Sequence, residues 1–332
     1  MVRLGTLASP CFIKMMLKGK SRALVALVVA AIVLALASPA FAVQKKSKKK
    51  KAVPRGTPVL WRAHNIESLD LAAGPGGTQM RPVLRNLRLI KEEKGGWSKK
   101  YRVRDASGRE WVAKLGREAQ SETAAARLVW AAGYETEISY LVPRATIPGK
   151  GTFTNVRFEA RPKSIKRFGV WTWKNNPFAG TRELQGLKVL MALINNWDLK
   201  DDNNVLLQEG GELRYAISDL GATFGKGGGL GPLWRVTRSR NNPEDYADSG
   251  NLVNEVEGGY VDIKYVGVNK GIFDKISVED ARWVGRLLAR LSDKQLADAF
   301  RAANYTPAQT RLLAETVRAR INELVNLPRR TA

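Results

Sequence analysis

The chain has 332 residues, 55 of them Lys or Arg and 31 Asp or Glu, for a net charge of +24 with one histidine and one cysteine. One cysteine cannot close a disulfide within the chain, and a single histidine excludes a zinc site built from His and Cys. Chemistry must therefore come from carboxylates, amides, lysines and hydroxyls; His64 has no nucleophile elbow nearby and reads as a loop or packing residue.

Residues 1–42 have the pattern of a signal peptide. Arg3, Lys14, Lys18, Lys20 and Arg22 precede an apolar run from Ala23 to Ala37, and "SPAFA" supplies a small-x-small cleavage site ending at Ala42. The expectation is an exported protein of the periplasm or cell envelope. The alternative is an uncleaved inner-membrane signal anchor with a cytoplasmic domain. The run is shorter than the roughly 20 residues of a spanning helix, but seven basic residues follow it against five before, a bias that keeps the remainder inside. Cleavage removes five basic residues and no acids, which lowers the charge from +24 to +19. Residues 43–57, with six lysines between Lys45 and Lys51, read as a basic disordered linker, able to adhere to an anionic membrane surface. No aromatic-basic motif points to specific nucleic-acid binding, although so basic a chain will hold polyanions in low salt.

From Val53 to Pro82 the sequence is rich in Gly and Pro, with "GPGG" at 74–77, and reads as an extended lead-in. "VLRNLRLI" (83–90), "KYRVRD" (100–105) and "EWVAKLG" (110–116) alternate apolar and polar residues and predict an antiparallel meander, with "DASG" as a tight turn. A helix follows, with Ser121 as its N-cap and Gly133 as its stop. "GTFTNVRFEA" (151–160) predicts a strand, and "KRFGVWTWKNNPFAG" an aromatic loop in which Trp171 and Trp173, like Trp197 further on, are packing residues. "TRELQGLKVLMALINNW" places Leu184, Leu187, Met191 and Ile194 on one face of a core-facing helix. "NVLLQ" and "RYAIS" form a short hairpin; 221–277 lacks periodicity and reads as a long functional or mobile loop region. Three helices close the chain, "SVEDARWVGRLLARL", "SDKQLADAFRAA" and "TPAQTRLLAETVRARINELVNL". The order is α+β: a strand-rich part with one helix, then a helix-rich part holding a hairpin.

"NNWDLKDDNNVLL" (195–207) breaks the helical pattern with acids and amides. A helix ending at Trp197 delivers Asp198 into a turn, and Asn203 stands at the entrance to a strand. A second acid, Asp219, follows the next strand in "SDLG". Two carboxylates, an amide oxygen and Lys200 can thus converge from the edges of one hairpin. Hard oxygen donors suit Mg²⁺, which takes few protein ligands and keeps several waters. An EF-hand calcium loop is excluded, because Lys200 stands where its second acid belongs and its central glycine is missing.

"NWDLKDDN" resembles the catalytic loop of protein kinases, H-R-D-L-K-P-E-N, and "DLG" (219–221) resembles the D-F-G that follows it; "WVAKLG" is similar to the strand carrying the ATP lysine. The order Lys114, Glu122, Asp198-x-Lys200-x-x-Asn203, Asp219-x-Gly221 is the kinase order. The likeness runs from about Val83 to Gly221 and is closer to the atypical HipA-like and phosphatidylinositol-kinase-like branch, in a bacterial secreted setting. It implies a two-lobed kinase-like fold, with a small antiparallel-sheet lobe and one helix over 58–160, a mainly helical lobe over 161–332, and nucleotide between them. It further implies Mg-ATP-dependent phosphoryl transfer to a protein or small-molecule hydroxyl. Asp198 would orient or deprotonate the acceptor and Lys200 steady the transferring group. Asn203 and Asp219 would hold Mg²⁺, and Lys114, oriented by Glu122, would bind the ATP phosphates. Asn196 replaces the usual histidine, no G-x-G-x-x-G precedes Lys114, and no A-P-E follows Asp219. Only Gly95, Gly96 and Ser98 remain to cradle phosphate, and Glu118 competes with Glu122 as the lysine's partner. A kinase-like binding protein of the envelope without catalysis, and a basic envelope protein that binds polyanions through charge alone, are the alternative functions.

Overall fold

The computed structural model describes residues 55–95, 98–228 and 234–328, apart from the side chains of Trp234 and Arg235. The signal segment, most of the basic linker with Lys45–Lys51, and Gly96 lie outside the described residues. No helix among the described residues is long and apolar enough to cross a membrane.

The fold is α+β, an antiparallel-sheet lobe followed by a largely helical C-terminal region. The sheet lobe is built from β2 (Arg88–Glu93), β3 (Lys100–Arg104), β4 (Glu110–Lys114), β5 (Ser139–Ile147) and β6 (Gly151–Ala160), in the order β2-β3-β4-β6-β5. Side chains alternate across a strand, so Trp111 and Ala113 of β4 join Val103, Tyr101 and Phe158 in an apolar cluster. Val112 and Lys114 point to the other face, where the register sets Lys114 opposite Arg157 and Val112 opposite Glu159. That face meets helix α1 (Glu118–Ala131).

Three expectations in this lobe need correction. The first strand starts at Arg88 rather than 83, because the Asp105 carboxylate accepts from Val83 N–H at 3.1 Å and holds that stretch in a turn. Ser121 is not the helix N-cap. The helix begins at Glu118, and the Ser121 hydroxyl lies inside it, donating to the carbonyl of Gly221 at 3.0 Å. Strand β5, which the sequence reading lacked, carries Pro143 in its middle, and a proline is tolerated there because β5 is the sheet's edge.

The second sheet is β1 (Thr57–Val59), β9 (Glu212–Ile217), β8 (Asn204–Glu209) and β7 (Lys166–Gly169), in the order β1-β9-β8-β7 with β1 parallel to β9. Thr57 is therefore strand rather than linker. Helix α2 (Arg182–Leu193) is capped by Thr181, and its Leu184, Leu187 and Met191, with Ile194 just beyond, are buried as the spacing requires. Trp171 and Trp173 are buried packing residues 5.0 Å apart at their ring centroids. His64 packs beside Trp130, with ring centroids 5.9 Å apart.

The stretch 221–277 is not one long loop. It contains α3 (Trp234–Thr237), α4 (Pro243–Ala247) and the strands β10 (Val253–Glu257), β11 (Tyr260–Ile263) and β12 (Ile276–Ser277), which pair in that order. Elements of two to five residues are too short to impose a visible period. Helices α5 (Val278–Ala289), α6 (Asp293–Arg301) and α7 (Pro307–Val325) complete the fold, the last two with full capping boxes at Ser292 and Thr306.

Candidate functional site

Lys114 ends β4 and is 5% exposed. Its ammonium lies 2.8 Å from Glu122 Oε2, 3.1 Å from Glu118 Oε2 and 3.5 Å from Asp219 Oδ1. Both helix carboxylates expected to compete for the lysine therefore share it. Burial draws its pKa down, but Glu122, Asp219 and Glu118 outweigh that and raise it, so Lys114 stays charged. Burial pushes the Glu122 carboxyl up, opposed by Arg157 and Lys114. Asp219, whose side chain is 44% exposed, is held below its ordinary value: Lys114, the Gly221 N–H and Arg157 prevail over its desolvation.

The loop after α2 is fixed to this cluster by its backbone. Asn195 adopts a left-handed φ of 50°, which asparagine tolerates, and so ends the helix. Trp197 is tied down on three sides: its N–H donates to Ala222 O at 3.3 Å, its indole N–H to Ser239 O at 2.8 Å, and its carbonyl accepts from Val268 N–H at 2.9 Å. Asp198 follows at once and pairs with Lys200 Nζ at 2.7 Å. The Asn203 side-chain N–H donates to the Asp198 carbonyl, and the Asn203 carbonyl accepts from Ser218 N–H at 3.0 Å and Asp219 N–H at 3.1 Å. A chain of direct bonds thus runs from Lys114 through Asp219 and Asn203 to Asp198. The Gly221 carbonyl, held by Ser121, locks the same segment to α1.

Of the residues expected to cradle phosphate, Ser98 lines a cleft of about 560 Å³ beside Lys114 and donates to Glu118 Oε2 at 3.0 Å. Gly95 is at the end of β2 with a φ of 103° and is not among the residues lining that cleft. Gly96 lies outside the described residues.

Three functional neighbours escaped the sequence reading. Arg157 of β6, 1% exposed, reaches Glu122 Oε1 at 3.2 Å and Glu159 at 2.7 Å, and so supports the glutamate that holds Lys114. Arg238 and Arg240 stack on the Trp197 ring at 4.1 and 4.9 Å from its centroid and line the cleft, and Arg240 also bonds Glu118. The arginine in β6 could have been flagged by strand alternation, which sets 157 and 159 on one face. The other two carry no local signal, because they reach the site through tertiary contacts, with the Trp197 ring and, for Arg240, with Glu118.

The donor set fits a divalent ion of the hard type: an amide oxygen from Asn203 and the partly exposed carboxylate of Asp219, with water for the remainder. Among the described residues no group of three or more His, Cys, Asp or Glu is placed to enclose a metal.

No family model matches the sequence, and no curated protein matches it. Among solved structures, the chain is similar to the Helicobacter pylori proinflammatory kinase CtkA, at 13% identity and a TM-score of 0.42 over 74% of this chain and 94% of that one. It is also similar to the Rio2 kinase of Chaetomium thermophilum, solved as an ADP/Mg²⁺-phosphoaspartate complex, at 11% identity and a TM-score of 0.27 over 70% of this chain and 71% of that one. Scores this low carry no functional argument, which therefore falls to the geometry of this chain's own side chains.

Proposed function

We propose that the chain is a kinase-like phosphotransferase that uses Mg-ATP, moving the γ-phosphoryl group to a hydroxyl of a protein or small molecule. The observation that carries this is the buried Lys114 clamped between Glu122 and Asp219. It joins a strand, a helix and the post-hairpin segment, and Glu118, which shares the lysine, lines the adjoining cleft with Ser98, Arg238 and Arg240. A lysine so paired keeps its proton and its position, which is what a triphosphate requires of a cationic anchor. Phosphoryl transfer spreads negative charge over the phosphoryl oxygens, and catalysis is chiefly the pre-placement of cations against it.

In this reading Lys114 binds the ATP phosphates and Glu122 orients it. Asn203 and Asp219 would hold Mg²⁺, which when bound neutralises phosphate charge. Asp198 takes the proton of the acceptor hydroxyl as the new P–O bond forms and ADP departs. Lys200, paired with Asp198, steadies the transferring group. Ser98, Arg238 and Arg240, which line the cleft, would meet the phosphates in this reading.

A non-catalytic binder built on the same frame is the second reading. It is favoured by Lys114 being shared among three carboxylates, since Glu118 and its partner Arg240 stand in the cleft that a triphosphate must enter. Thermal melting of the full chain with and without Mg-ATP tests both. A ligand at a hundred times its Kd adds about 2.7 kcal/mol, and at about 2–4 °C per kcal/mol the expected rise is several degrees. No rise would dismiss both readings. Where a rise is found, transfer of labelled phosphate that disappears in Asp198→Asn identifies the enzyme, and its absence in the native chain identifies the binder.

A further inference from the structure

We propose that Arg81, Arg127 and Arg301 form a binding site for a small phosphate-class oxyanion, apart from the Lys114 cleft. The three arginines line a concavity of about 480 Å³ where the 72–82 segment, α1, the start of β5 and the corner between α6 and α7 meet, and no acidic residue lines it. Arg127 is its floor. Arg127 is 1% exposed, yet among the described residues its guanidinium finds as acceptors only the carbonyls of Thr123 and Ser139, each at a long 3.3 Å, and its Nε is buried with no partner there. Neither Arg81 nor Arg127 forms an ion pair among the described residues, whereas the other buried arginine of the sheet lobe, Arg157, has two carboxylates. Burial draws the Arg127 pKa down to about 10 and Arg81 adds to the fall, while Tyr140 and Asp70 oppose it. A buried cation without a counter-charge is strongly unfavourable unless something supplies that charge. The turn above it is shaped for close approach. Gly74 has a φ of 72°, and a Cβ there would come within 3.2 Å of the guanidinium carbon. Tyr140, which donates to the Gly77 carbonyl at 2.7 Å, holds the same turn in place. Arg301 is paired with Asp298 at 2.7 Å, which leaves Arg81 and Arg127 as the two cations of the hollow without an ion pair among the described residues, and the planar fork of a guanidinium suits the several acceptor oxygens of a phosphate group.

The test is the melting temperature of the full chain against inorganic pyrophosphate without magnesium, at constant ionic strength made up with sodium chloride. The expected result is a rise of several degrees that Arg81→Gln, an exposed position, abolishes and Arg240→Gln, in the other cleft, preserves. Arg127→Met is expected to lose the same response while melting no lower than the native chain without pyrophosphate, because it removes an uncompensated buried charge. The proposal is overturned by no rise in the native chain, or by a rise that survives Arg81→Gln and vanishes with Arg240→Gln, which would place the anion in the cleft beside Lys114. Vesicles of phosphatidate, co-sedimented with the chain lacking residues 45–51, whose lysines bind anionic surfaces by themselves, and with Arg81→Gln in that same chain, distinguish sources. A loss of vesicle binding in the variant assigns the phosphate to a lipid headgroup, and a response to pyrophosphate alone assigns it to a soluble ligand. The Mg-ATP response is read separately and stands or falls by itself.

Discussion

At the scale of single residues, the lysine and its three carboxylates decide most. Replacing Lys114 by Met leaves Glu118 and Glu122 facing one another across a buried space with one cation fewer, and removing one partner of a buried pair costs about 3–5 kcal/mol. Lys114→Met is therefore expected to melt far below the native chain. Lys114→Met combined with Glu122→Gln should recover part of that loss, and denaturant titration of the two measures the difference. Asp219→Asn should be mild for stability, since the carboxylate is partly exposed, but should remove the magnesium-dependent part of any ATP response. Much of this was legible in the sequence. Lys114, Glu122, Asp198, Asn203 and Asp219 stand in a recognisable order, and the structure links all five by direct bonds or through one intervening group. Arg238 and Arg240 were not legible, since what brings them to the cleft is the face of Trp197, forty residues earlier in the chain.

Among the elements, the turn between β3 and β4 and the tether of α1 are the informative ones. Asp105, in the "DASG" turn, accepts from Val83 N–H, Ser107 N–H and hydroxyl, Arg109 N–H and the Trp111 indole. Desolvation raises its pKa, but these donors outweigh it and hold the carboxyl below its ordinary value. A group with a depressed folded-state pKa contributes stability above its unfolded value, and that contribution is lost as pH falls through the folded value. The sheet lobe should accordingly lose stability as pH falls below about 4, and Asp105→Ala, costing about 2–4 kcal/mol, should flatten that acid limb in melting curves. The hairpin could be anticipated from Gly108 and the alternating strands, but the hub could not, because composition does not say which buried donors an aspartate will meet. The same holds for Ser121. Its sequence position suggests a cap, whereas the hydroxyl is used to hold the Gly221 carbonyl. Ser121→Ala should cost about 1 kcal/mol and should weaken Mg-ATP binding more than that figure implies for stability, because it frees α1 from the segment carrying Asp219. Isothermal titration of the two chains checks this.

For the whole molecule, the helical region was easier to foresee than what lies before it. Helices α5 to α7 are long enough to show their period and begin on capping residues, while the short strands of 253–277 reveal themselves only by pairing. Net charge acts at this scale too, and independently of the cleft. On the proposal that the six lysines between Lys45 and Lys51 meet anionic headgroups, each would add about 1 kcal/mol near such a surface. Deleting residues 45–51 should thus weaken sedimentation with phosphatidylglycerol vesicles on the order of a hundredfold or more, and most of the native chain's binding should vanish by 0.5 M salt or so. The Mg-ATP melting shift should be the same in both chains. A deletion that removed the nucleotide response as well would mean that the basic segment reaches the cleft, and that charge and chemistry in this protein are one device rather than two.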